Sequence, residues 1–247
     1  MGTVDTPAVP PAVTPTPRIV RVTAAELEKL RTLPAVTVTV LATVAFTLVF
    51  TAALGGPSQD MPVLQIIPFL QVGVIVLGIL PTAHEYAGSQ YRTTLTAEPR
   101  RGHLLLGKTL ATGVVVAGAV ILALGSGVLV ATATGESGSS TPGDDASRLL
   151  GAAVYLVLVG VFSHLVTASV RHLVPALVGL LALLVVFPPL IAAVTEHARW
   201  LPGEAGALLY RSQSDAVLGP VSGALVLLGW TVVAAVVAVV LARRRDG

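Results

Sequence analysis

The chain contains no cysteine, which excludes disulfides and thiolate metal sites. Charge is scarce: 11% of its 247 residues are Asp, Glu, Lys or Arg, against about a quarter in ordinary soluble domains. Lysine is nearly missing, with only Lys29 and Lys108. The histidines, His84, His103, His164, His172 and His197, are scattered without ligand spacing, so no metal site is expected. No nucleophile sits beside a base and no carboxylates pair up at a site. No series of acids crosses an apolar run, as a proton relay would require. These absences speak against a membrane enzyme or an ion carrier.

What is present is apolar: 54% of the residues are hydrophobic. They gather in runs of about 20 residues, the length that crosses a bilayer core of about 30 Å at 1.5 Å per residue. The pattern predicts an all-α polytopic membrane protein with six spans, about 34–54, 62–84, 104–132, 148–170, 173–194 and 220–242. Pro34 suits the first turn of the first span, where its missing amide is not needed. Pro81 is expected to kink or loosen the end of the second. The third is long enough to tilt or protrude. Only Arg171 and His172 separate the fourth and fifth spans, which makes them antiparallel neighbours. Phe187, Pro188 and Pro189 are expected to break the fifth before it exits. The mixed stretch from Glu196 to Leu218 predicts one or two short interfacial helices anchored by aromatics.

Residues 1–22 predict a disordered tail, and their lack of early positive charge does not fit a signal peptide. Thr23 and Glu26 match a capping box, and Leu27, Leu30 and Leu33 recur opposite Glu26, Glu28, Lys29 and Arg31. Residues 23–33 therefore predict an amphipathic helix on the membrane surface. Twelve of the fifteen Lys and Arg residues fall in the N-terminal segment, the loop after span 2, the link between spans 4 and 5, and the tail at 243–247. Arg148, Arg199 and Arg211 lie on the other side. Positive residues stay cytoplasmic, so both termini and the loop after span 2 are expected there.

That loop, His84 to Ala111, is the longest polar interval with concentrated basic charge. Gly88 and Ser89 read as a break and a new N-cap. Gln90 to Ala97 can form two helical turns with Tyr91 and Leu95 on one face, and Pro99 ends them. Glu85 is expected at the membrane boundary, paired with Arg101 or Lys108 or capping a helix start. Gly102, four residues, then Gly107-Lys108-Thr109 match a nucleotide-binding loop. No strand precedes this match, Leu104, Leu105 and Leu106 fill it, and no magnesium-binding Asp follows a strand elsewhere. It is read as a false positive, with Lys108 snorkelling at the start of span 3 and Gly107 packing closely. Gln65, Gln71 and His164 are expected to hydrogen-bond between helices, or more weakly to line a substrate path. Gly113, Gly118, Gly125 and Gly127 predict close packing along span 3.

Two stretches carry a resemblance. In Ala24 to Ala35, the residues Glu26, Lys29, Leu30 and Arg31 form a Glu-x-x-Lys-Leu-Arg core. The elbow after span 2 holds Glu85, Gly88, Thr93-Thr94-Leu95, Pro99-Arg100-Arg101 and Lys108. Trp200 to Leu209 adds a third, weaker match. In these features the chain resembles the permease subunits of ABC-2 type exporters, departing at Ser89 or Gln90 where many members have Thr. The resemblance implies an assembly of two permeases, the same or homologous, and two ATPase subunits in a bacterial cell membrane. It makes the elbow the ATPase-coupling element, with Glu85, Gly88, Tyr91, Arg92, Thr93, Thr94, Leu95, Pro99, Arg100 and Arg101 as its residues. ATP and magnesium would sit on the partner, and this chain would bind no cofactor and no nucleic acid. The many Val, Leu and Ala residues and few charges of the spans favour an amphiphilic or apolar cargo. An ATPase-coupled sensor or extractor that does no transport remains the alternative.

Overall fold

The computed structural model describes residues 17–54, 61–87, 101–135, 142–212 and 217–245. Among them there is no β-strand. The chain runs α1 (Arg18–Thr32), α2 (Pro34–Ala53), α3 (Pro62–Gln65), α4 (Ile67–Ala87), α5 (Arg101–Ala133), α6 (Pro142–Val170) and α7 (Leu173–Leu181). A π-helical segment, Ala182–Val186, joins α7 to α8 (Phe187–Ala192). A 3₁₀ turn (Glu196–Trp200), α9 (Pro202–Ala207) and α10 (Pro220–Arg245) follow.

Five segments are long and apolar enough to cross a membrane: Pro34–Ala53, Leu104–Ala133, Gly143–Val170, Leu173–Ala192 and Pro220–Arg244. They mark a multi-pass membrane protein, because in lipid only a helix or a closed barrel satisfies its own backbone. The segment expected as span 2 differs. It is divided at Ile66 into α3 and α4, and the apolar part of α4 is the shorter stretch Ile67–Thr82. Pro68 explains the division. It has no amide to give the Leu64 carbonyl four residues back, so the ladder of α3 stops and the chain turns at Ile66, whose carbonyl accepts from the amides of Phe69 and Leu70. Pro81, by contrast, lies inside α4 without ending it.

α4 and α6 form the central pair and pack most extensively. The contact is close because Gly78 and Gly160 face each other: a Cβ on Gly78 would collide with the carbonyl of Gly160. α2 and α5 flank one side of the pair, and α10 packs on α6 from another. The core is built from apolar residues such as Ile66, Ile67, Ile75, Leu156, Val159 and Leu227, none more than 1% exposed. Large apolar side chains also point outward, among them Val38 and Leu41 on α2, Ile121 and Leu129 on α5, and Val221 and Leu225 on α10. That inversion is the signature of helices solvated by hydrocarbon.

Several expectations are corrected. α1 begins at Arg18, so residues 18–22 are helical rather than tail, and Thr23 lies inside the helix. The capping box is not formed: the Thr23 hydroxyl is buried without a hydrogen-bond partner among the described residues, while the Glu26 carboxylate turns to lysines. Of Gly113, Gly118, Gly125 and Gly127, only Gly127 is tightly opposed, by Val63 and Thr47. Gly113 makes an ordinary contact, and Gly118 and Gly125 meet nothing within 4 Å. The fifth span is not broken at Phe187. It widens into a π-turn, in which the Phe187 amide donates to the Ala182 carbonyl, and continues as helix to Ala192. Pi-turns of this kind absorb helix defects without a break.

Candidate functional site: a polar seam through the bundle

Polar side chains are few, and a considerable number are buried. At one end α1 lies against the start of α5. Gly107 permits the contact, since a Cβ there would fall 2.6 Å from Val22 Cγ1. One residue on, Lys108 Nζ lies 3.6 Å from Glu26 Oε2. Lys29 Nζ donates to the other carboxylate oxygen of Glu26 at 2.6 Å. Lys108 is 6% exposed and Glu26 5%. Lys108 therefore does not snorkel to the interface as expected; the oxygen of α1 answers its charge inside the fold. Leu30 is buried on the same face of α1, whereas Arg31 makes an exposed ion pair with Glu28 at 3.8 Å.

The seam continues between α4 and α6. Thr82 Oγ1 lies 3.2 Å from His164 Nδ1. Ser163, His164 and Thr167 are fully buried. The hydroxyls of Ser163 and Thr167 donate to the carbonyls of Val159 and Ser163, the back-bonding by which helices carry hydroxyls through apolar surroundings. His164 Nε2 is buried without a partner among the described residues.

Farther along, Gln71 of α4 donates from Nε2 to the carbonyl of Leu184 at 3.0 Å. The Tyr155 hydroxyl of α6 donates to Gln71 Oε1 at 2.7 Å. Gln71 and His164, expected as interhelical partners, are thus both placed in the seam, and the partners are Tyr155, Leu184 and Thr82. Gln65 is not: it ends α3 with its side chain exposed.

Beyond this level the bundle is capped. The small residues of α9 let it sit on α6 and α10: a Cβ on Gly206 would fall 2.5 Å from the Tyr155 ring, and one on Gly223 would strike the Ala205 carbonyl. Tyr155 and Tyr210 contact each other at 5.4 Å between ring centroids. Arg148 Nε donates to the Tyr210 carbonyl at 2.9 Å, and Arg211 Nη1 donates to Glu204 Oε2 at 2.6 Å. Burial pushes the Tyr210 hydroxyl above its ordinary range. Burial acts most strongly on Arg211 and opposes its charge, but the hydrogen bond it donates to Glu204, the Glu204 charge and the neighbouring Tyr210 and Tyr155 together outweigh it, and the guanidinium pKa is raised. Trp230 Nε1 donates to the Trp200 carbonyl at 3.0 Å and ties the 3₁₀ turn to α10. The short helices expected between spans 5 and 6 are therefore present, and α9 is buried against the bundle.

Gly88, Tyr91, Arg92, Thr93, Thr94, Leu95, Pro99 and Arg100 lie outside the described residues. Glu85 and Arg101 are placed by backbone alone, in the last turns of α4 and at the first position of α5. The stretch from Gly102 to Thr109 is helix, part of the 33-residue α5, and the Thr109 hydroxyl donates to the Leu105 carbonyl. Among the described residues no group of His, Asp and Glu could hold a metal ion.

Sequence reasoning named Glu26, Lys108, Gln71 and His164 but not their pairings. It missed Tyr155 and Thr82, and the buried stripe Thr43, Thr47 and Thr51 along α2. The stripe was legible as a four-residue repeat of hydroxyls, each able to bond back to the carbonyl one turn earlier. Thr43 and Thr47 do so at 2.8 Å. No protein-family model matches the chain, and no curated protein is detectably similar to it.

Proposed function

We propose that the chain is the membrane-spanning permease subunit of an ATP-binding-cassette exporter of the ABC-2 type, moving an amphiphilic or apolar substrate outward across a bacterial cell membrane. A drug, antibiotic, lipid or peptide fits that description. In this reading the chain is not itself an enzyme: a separate ATPase subunit, two copies per complex, binds ATP and magnesium, and a second permease, identical or homologous, completes the path. α4 is the sixth crossing. Its 21 residues span about 31 Å at 1.5 Å each, and its apolar portion is Ile67–Thr82. Both termini and the elbow at 85–103 lie in the cytoplasm, where the lysines and arginines concentrate.

One observation carries the reading. The two stretches that resemble the family are far apart in sequence, yet α1, which carries the first, packs against the start of α5, which carries Lys108, the last residue of the second. Glu26 and Lys108 form the buried pair that joins them. A push delivered to the elbow would enter α5 at Arg101 and reach α1 within two helical turns. The helical state of Gly102–Thr109 supports the absence of a phosphate loop, since a P-loop is an extended cradle of backbone amides at a strand-to-helix turn.

The test is co-purification with an ATPase subunit. The wild-type chain is expected to retain it, and Leu95→Glu is expected to release it by placing a charge on the docking face of the elbow. Retention by Leu95→Glu would remove the elbow from the interface. In liposomes, a transported substrate should stimulate ATP hydrolysis and accumulate across the bilayer; stimulation without accumulation would point to a sensor or extractor.

A further inference from the structure

Leu184 has a carbonyl that its own helix cannot satisfy. In the α register its donor would be the amide of residue 188, and in the π register that of residue 189. Both are proline and have no N–H. A buried carbonyl left without a donor is unfavourable. The donor arrives from another helix, as Gln71 Nε2, at 3.0 Å. Tyr155 holds the amide the right way round by donating to its oxygen. Gln71 is 4% exposed and Tyr155 1%. α9 also closes on this oxygen, where a Cβ on Gly203 would fall 2.8 Å from it. One glutamine amide therefore joins α4, α6 and the π-turn directly beneath α9.

We infer that Gln71 is a positioning residue, the latch of a hinge at Leu184–Pro189, and that its release lets α8, the 3₁₀ turn and α9 swing away from α4 and α6. The hinge lies there because the ladder of backbone hydrogen bonds is interrupted at Leu184, so the two halves of the span are joined by fewer internal bonds than any uninterrupted helix. The latch lies at Gln71 because its donor is the one the prolines withhold. The inference is independent of the transport reading: it concerns one carbonyl, two prolines and one amide, and holds whether or not an ATPase drives the chain.

The absence of cysteine makes the test clean. Spin labels on Leu129→Cys and Val194→Cys, both strongly exposed positions on α5 and just beyond α8, report the distance between the bundle and the swinging part in full-length protein in lipid nanodiscs. The otherwise wild-type chain is expected to give one dominant distance. Gln71→Leu should raise a second population about ten-fold, the equivalent of one lost buried hydrogen bond. Adding Pro188→Ala, or Pro189→Ala for the five-residue register, should return the single distance, because a backbone amide then replaces the glutamine. Unchanged distances in Gln71→Leu would overturn the latch. So would failure of both alanine variants to reverse its effect. If Gln71→Leu does not fold, the readout becomes recovery of monodisperse protein. The double variants must then restore it, and failure of both overturns the proposal equally.

Discussion

Lys108 and Glu26 approach to 3.6 Å, with both side chains more than nine-tenths shielded from solvent. A lysine on a membrane helix normally bends toward water. Here it is met by a carboxylate from the helix that precedes the first span. Lys29 supplies a second cation to the same carboxylate at 2.6 Å, from a more exposed position.

Removing one partner should therefore be costly. Lys108→Met leaves Glu26 buried with, among the described residues, Lys29 alone to answer it, and a loss of about 3 kcal/mol is expected, as for broken buried pairs. Arg31→Ala, which removes only an exposed pair, should cost less than about 1 kcal/mol. Thermal unfolding in detergent, followed by helical circular dichroism, separates the two. The exchange Glu26→Lys with Lys108→Glu should recover part of the loss; equal damage from the double and single variants would mean that the pair itself contributes little.

The α4–α6 contact depends on the absence of a side chain at Gly78. Gly78→Ala should destabilise the bundle by about 2 kcal/mol, because the new methyl meets the Gly160 backbone, which cannot swing aside. Gly118→Ala, on the same test, should be neutral or slightly stabilising, since its methyl enters open space on a helix surface. A Gly118→Ala variant that unfolds as early as Gly78→Ala would contradict this packing.

Nucleotide should not bind the isolated chain. Titration with a fluorescent ATP analogue is expected to show no saturable signal, and Thr109→Ala should change nothing, because the Thr109 hydroxyl is spent on the Leu105 carbonyl. Saturable binding lost on Thr109→Ala would restore the phosphate-loop reading.

Arg100 and Asp144 should lie on opposite sides of the membrane. Paired reporter fusions, active respectively in the cytoplasm and outside it, are expected to give opposite signals at the two positions. Equal signals would overturn the charge-count orientation and, with it, the elbow as a docking surface for a cytoplasmic ATPase.

The interval from Leu173 to Ala192 was readable as membrane-spanning from length and apolarity. Its response to Pro188 and Pro189 was not: proline signals a lost donor, but a break, a kink and a π-turn all answer that loss, and packing against α4 and α9 selects among them. The amphipathic helix was readable from Leu27, Leu30 and Leu33, yet its start was misplaced at Thr23. A capping box competes with continued helix, and the contact of Val22 with Gly107 favours the helix.

Run length and hydropathy are properties of the chain in one dimension, and a bilayer of fixed thickness reads them directly. The sequence by itself therefore determined that this is an all-helical membrane protein with one basic end. Partner choice is another matter. Whether Lys108 meets water, Glu85 or Glu26, and whether Gln71 faces lipid or the Leu184 carbonyl, depends on the rotation and depth of each helix against its neighbours. Those are set by where glycines allow backbones to touch. Only the tertiary structure decided that a carboxylate before the first span would neutralise a lysine in the third, and that an amide on α4 would replace the one missing at Pro188.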